Sequence, residues 1–282
     1  MRLFLALVIA VLTHLSALAQ TDVTTRIHDI DEDLAGEPPL IYLASGQVVS
    51  YPAATKSRLD DLRAGMRVHR WYRIRLNDRR EIVAIRKTNP PVPAFPAAPP
   101  AARAETFVPS VLPSLEAARS FFAEARRDFA PESQCYDRAH AWAFDWRRRH
   151  RFYSSKTWIF FTRRFIRKHK FEWWFHVAPA AHVVVEGRVR ERVLDVKYAR
   201  GPLSLKQWTD AFLRDNAHCP VVDRYRDHAD FSESGSCFVM KTSMYYYQPI
   251  DLELLDLTGA IRDRWHAPEV RNAFREAFGV NL

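Results

Sequence analysis

Two hydrophobic rhythms run along this chain, separated by a proline-rich gap. In the first third the rhythm has a period of two. Leu40 to Ala44 and Gln47 to Tyr51 flank Ser45-Gly46, a two-residue hairpin signal. Arg67 to Leu76 alternates, with Val68, Trp71, Ile74 and Leu76 set among basic residues, and turns at Asn77-Asp78 into Glu81 to Arg86. Residues 20–88 therefore read as a small all-β domain, a barrel or sandwich, with no constellation of reactive side chains. Residues 89–105, Asn89 to Glu105, are dense in Pro and Ala. Such a segment sustains neither a ladder nor a helix and predicts an extended linker.

Beyond the gap, in residues 106–282, both rhythms alternate. Ser114 caps a helix whose apolar face is Leu115, Ala118, Phe121, Phe122 and Ala125. A second helix starts near Glu132 or Ser133 and runs to about Arg148. Lys156 to Arg163, Arg167 to Val177, His182 to Val189 and Arg192 to Tyr198 read as successive strands, with a break at Gly187. Ser204 to Asn216 reads as a helix with Trp208, Ala211 and Phe212 inward, Phe238 to Gln248 as a strand, and Arg271 to Phe278 as a closing helix. Helices around a mainly antiparallel sheet predict an α+β fold.

Composition and charge sharpen this picture. Of 282 residues, 48% are hydrophobic and 13% aromatic, enough for a substantial core. Met1-Arg2, an apolar run from Leu3 to Leu12 and Ser16-Ala17-Leu18-Ala19-Gln20 have the form of a signal peptide, residues 1–19, cut after Ala19. The run is short for a membrane span, so a secreted or periplasmic chain with no integral span after cleavage is expected. Export makes the odd cysteine count informative. Cys219 and Cys237 bracket a polar loop suited to a disulfide, which would leave Cys135 free, and spacing alone leaves other pairings open. Net charge is +9, with no acid between Asp145 and Glu172 and a run of Arg and Lys there. For an exported chain this excludes nucleic acid as the expected partner and favours anionic surfaces or acidic protein substrates.

The candidate chemistry lies in three short stretches. Cys135 falls where a turn gives way to a helix, amid Ser133, Gln134, Asp137 and Arg138. A helix N-terminus favours a thiolate. His176 follows Trp173, Trp174 and Phe175, and alternation puts it on one face with Trp174 and Ala178. Asp195 sits inside Val-Leu-Asp-Val, where a buried acid needs a partner. Histidine and aspartate on neighbouring strands would satisfy each other and aim the imidazole at the thiol. Cysteine, then histidine, then aspartate is the order of a papain- or transglutaminase-like site, with the nucleophile on a helix packed against an antiparallel sheet. His140 falls on the opposite face of the Cys135 helix, and His182 has no acid near it in sequence. No H-E-x-x-H or C-x-x-C spacing occurs, so neither a metal nor another cofactor is expected.

These stretches resemble the bacterial protein-glutaminase family. The likeness rests on Cys-Tyr-x-Arg-Ala-His at Cys135–His140, aromatic-x-His-Val-Ala at Trp174–Ala178, Val-Leu-Asp at Val193–Asp195, then Gly201-Pro202-Leu203 and Trp208. It spans roughly Val111 to Gln248. After Asp195 the chain continues Val-Lys in place of the family's Pro-Ser, and it has fewer cysteines. The resemblance implies hydrolysis of the side-chain amide of protein-bound glutamine, with Cys135 as nucleophile, His176 as base and Asp195 as its orienting partner. Such enzymes resemble transglutaminases in fold and in the acyl-enzyme step, and transglutaminase, cysteine-peptidase and non-catalytic envelope-binding roles are the alternatives. Gln134 is a candidate oxyanion donor beside the Cys135 N–H, and Tyr136 and Trp174 are candidate walls of an amide slot. Expected partners are proteins or peptides with exposed glutamine, acted on by a monomer. The family's N-terminal pro-sequences make residues 20–88 a candidate pro-region, with an accessory domain as the rival.

Overall fold

The computed structural model describes residues 20–32, 36–90, 107–213, 218–227 and 235–282. The expected leader and the expected linker beyond residue 90 lie outside the described residues, as does the end of the helix expected to reach Asn216. Period-two alternation in the first unit yields β1 (Thr21–Asp31), β2 (Leu40–Leu43) and β3 (Val48–Ser50), then, after a helix, β4 (Trp71–Leu76) and β5 (Ile82–Thr88). They form one antiparallel sheet in the order β3-β2-β1-β4-β5. Ile27, Ile41, Leu43, Ile74 and Ile82 fill its core.

This unit is not all-β. Helix α1 (Lys56–Arg67) crosses it, capped by Thr55, whose side chain accepts from the Arg58 N–H. Leu59 and Leu62 carry the helical spacing into the core. Gly65 allows the closest approach, since a Cβ there would lie 1.8 Å from the Tyr72 hydroxyl. The strand expected from Arg67 therefore begins only at Trp71, because Val68 closes the helix.

The second unit runs β6 (Val111–Leu112), α2 (Leu115–Glu124), α3 (Cys135–His150), β7 (Ser155–Phe161), α4 (Arg163–His169), β8 (Phe175–Val185) and β9 (Arg188–Val193). It continues α5 (Leu205–Asp210), β10 (Val221–Val222), β11 (Cys237–Ser243), α6 (Pro249–Thr258) and α7 (Ala267–Phe278). The sheet order is β10-β11-β7-β8-β6, with β9 also on β8. The pairs β6–β8 and β10–β11 are parallel and the others antiparallel, so the sheet is mixed and the fold α+β. Helix α3 packs between β8 and α7, with Ala139, Ala141 and Ala143 fully buried and allowing the approach.

Three expected boundaries move. The start of the Arg167–Val177 strand is instead α4, because Thr162 caps a turn that buries Phe165 and Ile166 and turns its basic residues outward. The Arg192–Tyr198 strand stops at Val193, where the Ala199 N–H closes a turn onto the Asp195 carbonyl. Asp195 thus sits just past a strand end. The Phe238–Gln248 strand stops at Ser243, and helix α6, with Pro249 at its first turn, follows where no element was expected.

The two units are joined by backbone and charge. The Val48 N–H donates to the Glu172 carbonyl at 2.8 Å, and the Trp174 N–H to the Gly46 carbonyl at 2.9 Å. Gly46 has φ +96°, and a Cβ there would meet the Phe175 ring at 3.0 Å. His28 of β1 stacks on Trp174 with ring centroids 4.0 Å apart and pairs with Glu253 at 3.0 Å. Asp29 and Asp31 pair with Arg163 and Arg167 of α4, Glu37 with Lys170, and Arg80 with Glu172. A disulfide joins Cys219 to Cys237, and Cys135 is a free thiol.

Candidate active site

Cys135 is the first residue of α3 and is 4% exposed. The first-turn N–H groups of a helix have no intrahelical acceptor, so the Cys135 N–H points out beside its own sulfur. His176 is the second residue of β8, and Asp195 follows β9, the antiparallel neighbour of β8. The His176 Nε2–H donates to Asp195 Oδ2 at 2.6 Å. Trp208, from α5, donates its indole N–H to the same oxygen at 2.8 Å. Ser204 starts α5 through a full capping box with Gln207, which fixes where that indole lies. With Nε2 committed to Asp195, His176 has its other nitrogen left for the Cys135 side chain, which lies close enough to help raise the imidazole pKa.

Electrostatics follow from this geometry. Burial, the largest influence, pulls the His176 pKa down, but the Asp195 carboxylate and the Cys135 side chain outweigh it and hold it at about 9. Burial pushes Asp195 up, while the His176 charge and the His176 and Trp208 hydrogen bonds bring it below the ordinary carboxylate value. The arrangement holds a charged imidazolium at neutral pH beside the nucleophile's side chain, a proton donor ready for a leaving group.

The structure brings Cys135, His176 and Asp195 together and leaves the expected slot residues apart from them. Tyr136 stacks on Phe175, and Trp174 meets Phe175 and Phe160, all on the other side of β8. The alternation that put Trp174 beside His176 fails because Trp174 precedes the strand and is bent away. There its indole N–H donates to the Leu43 carbonyl at 2.7 Å. Gln134 donates its amide N–H to the Glu132 carbonyl at 2.8 Å, and its Oε1 is buried without a partner. One amide N–H is thus committed to that carbonyl, and the second is left for another acceptor. His140 is fully buried against Lys156, and His182 faces Glu191 across β8 and β9 at 3.9 Å.

Among the described residues, no helix is long and apolar enough to cross a membrane. Residues 115–212 match the model of a family described as glutaminase. A crystal structure of pro-protein-glutaminase is similar over 81% of this chain and 84% of its own, with TM-score 0.52 and 15% identity. A mutant of pro-protein-glutaminase is similar over 82% and 85%, with TM-score 0.54 and 16% identity. What these two structures share with this chain is a fold. No curated protein matches the sequence. The likeness to the two crystal structures concerns the fold, N-terminal unit included, since it covers more of the chain than the second unit alone supplies.

Within the glutaminase segment, the structure adds residues that spacing did not supply. Tyr198 stands edge-on to the His176 ring at 5.1 Å and Phe212 lies 4.9 Å from it, so aromatic faces enclose the imidazole. Arg138, one turn after Cys135, bonds the Ser133 carbonyl and hydroxyl, and its charge lies beside the Tyr198 side chain. It ties the turn before the nucleophile to the loop after Asp195. The signal for Arg138 was its place in the same helical face as Cys135. Tyr198 offered none, because its loop position depends on the turn that Asp195 begins.

Proposed function

We propose that this chain is an exported protein-glutamine deamidase that works through a Cys135 thioester. The observation that carries the reading is the Cys135–His176–Asp195–Trp208 cluster, complete within the segment that matches a glutaminase family. Cys135 thiolate attacks the glutamine Cδ, and the Cys135 N–H supplies one donor to the developing oxyanion. The C–N bond breaks as His176 gives its proton to the leaving nitrogen, releasing ammonia. His176 then takes a proton from water, the hydroxide adds to the thioester, and the C–S bond breaks to leave glutamate and the thiol. Asp195 holds the imidazole in the tautomer and orientation these steps need, and Trp208 holds Asp195.

The N-terminal unit, residues 20–88, acts in this reading as a pro-region tethered by residues 89–105. Supporting it, hairpin residues 43–48 bond to residues 172–174, just ahead of His176, while Cys135 and His176 are nearly closed to solvent. The Cys219–Cys237 disulfide fits an oxidising compartment.

Mass spectrometry of a glutamine-rich protein incubated with the chain, intact and cut in the tether, tests the reaction. A gain of roughly one mass unit per site, with ammonia released and lost in Cys135→Ala, is expected. Backbone cleavage would identify a peptidase, and incorporation of a labelled primary amine a transglutaminase. Equal turnover of a small glutamine peptide by cut and intact forms would leave the N-terminal unit an accessory domain.

A further inference from the structure

Helix α4 carries a recognition surface that the chemistry above does not use. On β1, Asp29 and Asp31 stand two residues apart and so point the same way from one strand. On α4, Arg163 and Arg167 stand four apart and share one helical face. An acid at every second strand position repeats at about 6.7 Å, and an i,i+4 pair rises about 6 Å, so the two rows are in register. The Arg167–Asp31 pair is a fork, whereas both Arg163 donors converge on Oδ2 of Asp29. Arg163 gives Nε and Nη2 to Asp29, with Nε at 3.1 Å, and Arg167 gives Nε to Asp31 at 2.7 Å and Nη2 to its other oxygen. Guanidinium forks of this kind select planar carboxylates, where an ammonium would accept any anion. Asp31 is fully buried in the pairing, so the site is shaped and not merely charged.

The surface also leads directly to the chemistry. The residues that follow α4, 172–174, pair by backbone with the hairpin tip at 46–48, and His176 comes two residues later. One continuous stretch therefore offers an arginine row, an edge for an extended chain and the imidazole. Between Asp145 and Glu172 the chain has no acid of its own, so these arginines draw their carboxylates from outside that stretch.

We propose that β1 occupies, in cis, the docking site for an extended acid-x-acid segment of the protein substrate, and that Arg163 and Arg167 set a preference for glutamines near such segments. This rests on the deamidase reading and on β1 leaving α4. The chain cut in the tether and carrying Asp29→Asn and Asp31→Asn loses both β1 carboxylates and can release the N-terminal unit. Its binding of a labelled glutamine peptide with an Asp-x-Asp segment is compared, by fluorescence anisotropy at low salt, with its binding of the Asn-x-Asn analogue. Ammonia release is measured in parallel. The acidic peptide should bind about tenfold more tightly, as two partly exposed ion pairs supply, and the ratio should fall to about one with Arg163→Gln and Arg167→Gln added. Equal binding of the two peptides, or equal competition by an oligonucleotide of the same charge, would overturn the proposal. Selective binding of the acidic peptide without ammonia release would instead sink the deamidase reading and leave the surface standing. Should the double variant fail to fold, Asp29→Asn alone, whose carboxylate is 31% exposed, should still give a roughly threefold preference.

Discussion

Two histidines are buried on opposite sides of α3, and their partners give them opposite characters. His176 is bonded to the Asp195 carboxylate and is held charged, with its pKa near 9. His140 is bonded through Nδ1 to Lys156 at 2.9 Å, and its Nε2 has no partner. Burial and then the Lys156 charge push His140 well below its ordinary pKa, and burial brings Lys156 itself down to about 7. Burial acts the same way on both imidazoles, so the sign of the neighbour decides. An acid makes a proton donor available at neutral pH, and an ammonium makes a neutral packing element.

The contrast breaks most completely at the reacting atoms. Cys135→Ala and His176→Ala should each lower ammonia release on the order of 10⁶-fold, with an unchanged far-ultraviolet dichroism spectrum. A folded variant with wild-type turnover would remove either residue from the mechanism. Asp195→Asn should convert His176 toward the state of His140 and cost about 10⁴-fold in kcat. The wild-type rate should fall as pH rises through about 9, where the imidazolium is lost, and the variant's fall should begin well below that. An unmoved alkaline limb would show that Asp195 does not set the charge. The same sign governs stability. The raised His176 pKa contributes stability fully below about 6.5, and this is lost as pH climbs through about 9.

Smaller changes sharpen the comparison. Trp208→Phe keeps the ring contact with Phe212 but drops the bond to Asp195, and should cost about tenfold in kcat with KM little changed. A shifted pH profile in that variant separates positioning from mere packing. Lys156→Met should leave catalysis alone and alter only the pH dependence of Tm. Folded Lys156 titrates at about 7 against roughly 10.4 when unfolded, so wild-type stability gains from this group as pH rises between those values. The variant should lack that gain.

Much of this could be read from the residues. Ser114 and Ser204 cap helices as their sequence context requires, Gly187 lies in the turn between β8 and β9, and Cys135 opens α3. Period two put His176 on a strand but carried Trp174 along with it, because alternation does not reveal where a strand begins. Helix α1 was hidden by Gly65 in its last turn and by the basic alternation that follows. The His176–Asp195 pair was expected from neighbouring strands, but the neutral character of His140 was out of reach, since Lys156 reaches it only through tertiary packing. The basic run read as a surface for external anions because its counter-charges, Asp29, Asp31 and Glu37, lie far away in sequence.

The close seat of Gly46 has a mechanical consequence. Its backbone lies so near the Phe175 ring that a methyl group there would sit 3.0 Å from it, and that ring in turn stacks on Tyr136, with centroids 6.2 Å apart. Tyr136 is covalently next to the nucleophile. The hairpin tip, one strand residue and the first turn of α3 therefore lie in a row of neighbouring groups, in which no charge has to move for a shift at one end to reach the other. Gly46→Ala would push at one end of that row from some distance along the chain, turning one added carbon into a displacement felt beside the thiol.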